Sequence, residues 1–205
     1  MAAIHCAEKM GERRKRELHV ESFEKDLDAL RLSTRHSKYF PSLWHSGPSA
    51  LLQSNAYEKN GVRWRLWEGD FRARVKEASS PEGIFFDPFS RRTEPEMWDL
   101  SLFELIASEL RRRTATAWLV TYSHSTAVRA TLLAAGFQGA EGVTSGEKET
   151  TTWAHWGTNR AANRRWLGKE WIERWKRSSS AQPFGWTPEH GSWEDRILSH
   201  PQFQE

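Results

Sequence analysis

The chain has 205 residues and a formal net charge of only +3, which suits one domain with a sizeable core and excludes a strong global field as the basis of its function. Its single cysteine, Cys6, excludes an internal disulfide framework and a cysteine-based metal site, and fits a reducing, cytoplasmic setting. No apolar run approaches the ~20 residues of a membrane span, and the opening MAAIHCAEKMGERRKRE lacks the order of a signal peptide.

The first readable element is ELHVESFEKD, residues 17–26, a short strand that leaves His19, Val20 and Phe23 to pack. It turns at Asp26, a candidate cap for the helix LDALRLSTRH. VRWRLWEGD, residues 62–70, alternates with a period near two and reads as a strand ending at Gly69-Asp70. GIFFD, residues 83–87, reads as a buried strand that stops on a carboxylate and a proline. SLFELIASELRRR places Phe103, Ile106, Ala107 and Leu110 at helical spacing, with Ser101 and Glu104 as a capping box. TAWLVTYS is another buried strand. HSTAVRATLLAAGF is a helix ending at Gly136, and ETTTWAHW is a late strand. Residues 158–205 read as one basic, Trp-bearing helix followed by an irregular end rich in Pro, Gly and Ser. Strands alternating with helices define an α/β domain with a mostly parallel sheet.

In open α/β sheets, ligands lie outside the carboxyl ends of the strands. Glu24, Asp70, Asp87 and the Tyr122-Ser123 pair all fall at or just past such ends, so they are expected to line one crevice. A carboxylate there can accept from ribose hydroxyls or from an adenine amino group. The plainer role for each acid is a helix cap or a solvated loop charge.

The segments ESFEKD, WEGDF, FFDPFS with TEPEMW, VTYSHSTAVRATLLAAGF and GEKETTT follow one another in an order and spacing that resemble the MnmC-like methyltransferases, from about residue 1 to residue 156. The resemblance implies a Rossmann-like class I methyltransferase sheet, mostly parallel with an antiparallel late strand. It implies a methyltransferase domain over residues 1–157 and a basic, Trp-rich helix and tail over 158–205. The implied activity is transfer of a methyl group from S-adenosylmethionine to the aminomethyl group of a wobble uridine in tRNA. The implied partners are tRNA and a separate or fused flavin-dependent oxidase that makes the aminomethyl precursor; neither a membrane nor a metal is expected.

Residue by residue, the resemblance implies that Glu24 holds the cofactor ribose and Asp70 its adenine end. Asp87, with Pro88, Phe89 and Ser90, forms the floor where methyl donor and substrate amine meet, and Asp87 is the catalytic residue. Tyr122 and Ser123 close the far side, and Lys148 lies in the late loop facing substrate. Phe89 and Trp98 either wall the site and stack on the base or simply pack the loop.

The chain departs from the family pattern in three places. Arg91-Arg92-Thr93-Glu94 stands where Pro-Arg-Lys-Asn is usual, so Arg92 is the candidate to keep the basic role. Lys148-Glu149 replaces Lys-Arg. No G-x-G loop precedes ESFEKD, so the sheet is expected to be N-terminally truncated, lacking its first strand between LHVESF and GIFFD.

In the tail, residues 160–177 carry seven Lys/Arg against two Glu, with Trp171 and Trp175 four residues apart and Leu167 one turn earlier. The plain reading packs these apolar residues on the domain. The sharper one meets RNA phosphates with Lys/Arg and stacks Trp on an unpaired base. For the whole chain, the reading from another class is a cofactor-free RNA-binding or interaction protein that retains a methyltransferase fold.

Overall fold

The computed structural model describes residues 10, 16–40, 46–113, 116–143, 150–157 and 163–204. The chain separates into two units, Met1–Ser79 and Ser80–Glu205.

The first unit is built on the alternation of Val62, Trp64 and Leu66. Strand β1 (Leu18–Glu24) is followed by helices α1 (Asp28–Arg35) and α2 (Ser46–Ser54), then by strands β2 (Ala56–Lys59) and β3 (Val62–Glu68) and the short helix α3 (Phe71–Arg74). The sheet order is β1-β3-β2, with β1 parallel and β2 antiparallel to β3. Asn60 and Gly61 both have positive φ, 51° and 69°, and make the two-residue turn that the twist of a hairpin favours. One face of β3 buries Val62 and Leu66 with Leu27, Leu51 and Tyr57, and Trp64 packs against this cluster. On the other face Trp67 donates its indole N–H to Glu21 at 2.7 Å, and the Arg65 guanidinium lies 4.1 Å from the Trp67 ring centre. Burial works to raise the Glu21 pKa, but hydrogen bonds from Ser79 and Trp67 and the Arg65 charge outweigh it and hold the carboxyl low. His19, expected to pack, is exposed on β1 beside Glu17, because register places it across from the solvent-facing Arg63. Asp26, expected to cap α1, lies one residue before the N-cap, which is Leu27 and has no side-chain cap bond; from there Asp26 accepts the Asp28 amide at 2.7 Å.

The second unit holds a mixed five-stranded sheet in the order β4-β5-β7-β6-β8. Its elements are β4 (Gly83–Phe85), α4 (Leu100–Arg113), β5 (Ala117–Thr121), α5 (Thr126–Ala134), β6 (Gln138–Glu141), β7 (Thr152–Trp156), β8 (Arg165–Trp166), α6 (Lys169–Lys176) and α7 (Trp193–Leu198). β4 and β5 are parallel; the late strand β7 runs antiparallel between β5 and β6, and β8 pairs antiparallel with β6. On α4 the predicted stripe of Phe103, Ile106, Ala107 and Leu110 is buried. The cap differs from expectation. The helix begins at Leu100, and Asp99, not Ser101, accepts the Leu102 amide at 3.0 Å, while Ser101 donates its hydroxyl to Asp99. Helix α5 is buried along its length from Ala127 to Ala134 and stops where Gly136 takes φ +95°.

The tail is more ordered than its composition suggests. Trp171, Ile172 and Trp175 bury one side of α6, and Trp175 donates to the Ala181 carbonyl at 2.9 Å. Past the Pro, Gly and Ser residues the chain forms α7 and returns to the sheet at Gln202. That buried amide accepts from the Gly139 N–H and donates to the Gly139 and Leu167 carbonyls, each at 2.7 Å. These bonds tie the last residues to β6, 63 positions earlier. Gln202→Ala strands the Gly139 N–H and the Leu167 carbonyl in a buried place, at about 1–3 kcal/mol per group. A loss of roughly 2–4 kcal/mol in unfolding free energy is expected, read as a lower urea midpoint; an unchanged midpoint would show that the tail is a passive cover.

Candidate active site

The turn after β4 is held from several sides. Asp87 follows the buried Phe86, whose amide donates to the Val120 carbonyl at 2.8 Å, so pairing with β5 continues to the last residue before the carboxylate. Asp87 itself is exposed. Tyr122, just past the end of β5, donates its hydroxyl to the Pro88 carbonyl at 3.3 Å. Trp98 donates its indole N–H to the Phe89 carbonyl at 2.8 Å. The Phe89 amide donates to the Glu94 carboxylate at 3.3 Å, and the Ser90 and Thr93 hydroxyls lie 3.2 Å apart. Burial and, after it, the nearby negative charge of Asp87 push the Tyr122 phenol pKa up. The phenol therefore stays protonated and keeps its hydrogen bond to the turn at neutral pH.

The sequence predictions for this end are thus brought together in part. Asp87, Pro88, Phe89, Ser90, Tyr122 and Ser123 share one end of the β4–β5 pair, with Phe89 70% exposed and Ser123 half-buried. Trp98 is only 2% exposed, with its ring edge-on to Phe86 at 5.4 Å and to Tyr122 at 5.9 Å, so it packs the loop from below and does not wall the site. Arg92 is exposed on the same turn, whereas the Arg91 guanidinium sits 4.1 Å from the Phe184 ring centre. Glu94, a departure from the family pattern, uses its charge to close the turn. Lys148 lies outside the described residues. The struts Trp98, Glu94 and Tyr122 all lie in the segments that carry the resemblance, TEPEMW and VTYS, but only the proline-punctuated spacing between Asp87 and Trp98 signals that something must brace the loop.

Glu24 and Asp70 belong to the first unit and stand at the same end of the β1–β3 pair, where the Gly69 amide donates to the Glu24 carbonyl at 2.9 Å. Glu24 Oε1 accepts the Lys25 and Asp26 amides at 2.9 and 3.2 Å. Asp70 Oδ1 accepts the Arg72 amide at 2.7 Å and caps α3. The plainer role of helix cap therefore holds for Asp70. Each carboxylate spends one oxygen on its own turn, which fixes its direction, and the other oxygen makes no hydrogen bond among the described residues. A pair of oriented acceptors at strand carboxyl ends fits a ribose diol and an amino group. Among the described residues no group of three or more His, Cys, Asp or Glu is placed to hold a metal ion, and no helix is long and apolar enough to cross a membrane.

The α/β units, with acids at the carboxyl ends of their strands and an antiparallel late strand, define the class as a Rossmann-like methyltransferase fold. Residues 35–156, more than half of the chain, match the family described as S-adenosyl-L-methionine-dependent methyltransferase. The chain belongs to this family, whose methyl donor is S-adenosylmethionine. Its fold is similar to that in the crystal structure of MNMC2 from Aquifex aeolicus, with a TM-score of 0.58 and 21% identity over 93% of this chain and 70% of that one. No curated protein matches.

Proposed function

We propose that the chain positions the aminomethyl group of a modified wobble uridine in tRNA for methylation from S-adenosylmethionine. The observation that carries this reading is Asp87, an exposed carboxylate at the carboxyl end of β4 in a turn braced by Tyr122 and Trp98. The likeness of fold to MNMC2 supports the substrate. When bound, S-adenosylmethionine supplies an electrophilic methyl group on a sulfonium sulfur. The chain's own residues then have two tasks, alignment and proton removal. A primary alkylamine has a pKa of roughly 10, so at neutral pH it arrives protonated and without a lone pair to donate. An Asp87 oxygen accepts a hydrogen bond from the amine and takes up its proton, directly or through one water. Alignment of the freed lone pair accounts for most of the remaining acceleration.

Around that step, Pro88, Phe89 and Ser90 line the floor, Tyr122 and Ser123 close the far side, and Arg92 and Lys148 face the anionic substrate. Glu24 accepts from the ribose hydroxyls, and Asp70 accepts from the adenine amino group. The aminomethyl group is supplied by a separate or fused flavin-dependent oxidase, and the reaction runs in the cytoplasm.

The test is methyl incorporation into tRNA carrying a 5-aminomethyl-2-thiouridine at the wobble position and into the same tRNA with unmodified uridine there. Incorporation into the first alone is expected. Equal incorporation into both would remove the amine as acceptor. Failure with both, together with no saturable binding of S-adenosylmethionine, would favour a cofactor-free RNA-binding protein.

A further inference from the structure

The basic segment of the tail divides into arginines with different surroundings. The Arg164 guanidinium lies 3.8 Å from the Trp153 ring centre and is half-buried against the sheet. Arg165, the next residue, points to the other face of β8 and meets Glu141 at 3.1 Å. Arg174 on α6 meets the same carboxylate at 3.3 Å, and Arg129 on α5 meets it at 3.7 Å. Three guanidiniums therefore surround one carboxylate.

The members of this cluster are not equivalent. The Arg129 side chain is 6% exposed and Glu141 10%, whereas Arg165 and Arg174 are 76% and 60% exposed. Arg129 is pinned by hydrogen bonds to the Thr152 hydroxyl at 3.1 Å and the Thr151 carbonyl at 3.1 Å. It anchors Glu141, and Glu141 in turn holds the two outer arginines. One cation satisfies one buried carboxylate. A second and a third at the solvent side add little stability, since exposed ion pairs contribute almost nothing, and they repel one another. What they create is a surplus of two positive charges held close together and facing out. The Arg174 charge, after burial itself, also pushes down the Arg129 pKa, a sign of how near these like charges lie.

The register places this pair at the functional end of the sheet. Thr121 pairs with Thr152, Thr152 with Glu141, and Glu141 with Arg165. Arg165 is thus level with the end of β5, where Tyr122 and Ser123 begin. With strands about 4.8 Å apart, it lies roughly 14 Å along the rim from β5 and roughly 19 Å from β4.

We propose that Arg165 and Arg174, oriented by Glu141, form a backbone-phosphate clamp for the RNA whose modified base enters at Asp87. This rests on the reading that the substrate is tRNA. It adds the contact that holds the strand a few nucleotides from the reacting base. Arginine suits the task because its planar fork can spend one nitrogen on Glu141 and present others to a phosphate oxygen.

The test measures the affinity of the full chain for bulk tRNA over a range of KCl concentrations. Arg165→Gln with Arg174→Gln should reduce the log–log salt slope by about 1.4–1.8, the value for two phosphate contacts. Lysines at both positions should restore most of the slope. Lys176→Gln with Arg177→Gln removes the same charge at the end of α6, where Lys176 pairs with the Glu173 carboxylate and Arg177 donates to the Glu173 carbonyl, and should change the slope less. Equal effects from the two glutamine pairs, or an unchanged slope in the first with native circular dichroism, would overturn the clamp while leaving the substrate assignment intact. A wild-type chain with no salt-dependent tRNA affinity would overturn both.

Discussion

Asp87→Asn is expected to slow methyl transfer by about 10²–10⁴-fold, the usual contribution of a positioned general base, while S-adenosylmethionine affinity stays within a few fold. Asparagine keeps the size of the side chain and its place after β4, but an amide cannot take up the proton of an alkylammonium. The turn should survive, since its bonds from Tyr122 and Trp98 go to backbone carbonyls and not to the Asp87 side chain. Single-turnover rates at saturating tRNA separate this loss from weaker binding. Near-normal turnover in the variant would falsify the role given to Asp87.

Trp98→Ala should cost about 3–5 kcal/mol of stability, as for other buried large aromatic side chains. Trp98 is 2% exposed, is packed edge-on to Phe86 and Tyr122, and carries the N–H that holds the Phe89 carbonyl. Its loss empties the space beneath the turn and releases the turn itself. Trp98→Phe separates the two effects. It keeps most of the packing and removes the N–H, which contributes roughly 1 kcal/mol. The Phe variant should therefore remain folded at 25 °C and still lose methyl transfer, because Asp87 is no longer held in register with the amine. A Phe variant with wild-type rate would reduce Trp98 to a core residue. Urea unfolding and single-turnover kinetics on the same samples distinguish these outcomes.

Much of the local structure was legible beforehand because it follows from spacing within a few residues. The stripe on α4 and the stop at Gly136 each depend on side chains one or two turns apart. GIFFD, expected to be a buried strand running to Asp87, instead forms a strand only to Phe85, whose side chain is 81% exposed. The hairpin of β2 and β3 was not read from the sequence, although Asn60-Gly61 carries a short-range turn signal, because the alternation of residues 62–70 alone does not reveal the partner strand. The Ser101 capping box was a misleading signal. Asp99 stands two residues earlier with a longer, charged side chain suited to the same amides, and a two-residue shift of the cap decided between them.

The strand reading placed Asp87, Tyr122 and Glu24 at or just past strand ends, and the resemblance then implied their roles. By itself the sequence determined the α/β class, the acids that terminate β1, β3 and β4, and the basic surplus of the tail, because period and composition are local properties of the chain. Only the tertiary structure decided what those groups do for one another. It put Trp98 under the turn and not beside the ligand, sent Arg164 onto Trp153, and gathered Arg129, Arg165 and Arg174 on Glu141. It also brought Gln202 back to Gly139. The reason is strand order. The sequence β4-β5-β7-β6-β8 makes neighbours of residues dozens of positions apart, and no periodicity within one segment encodes which strand will lie beside it.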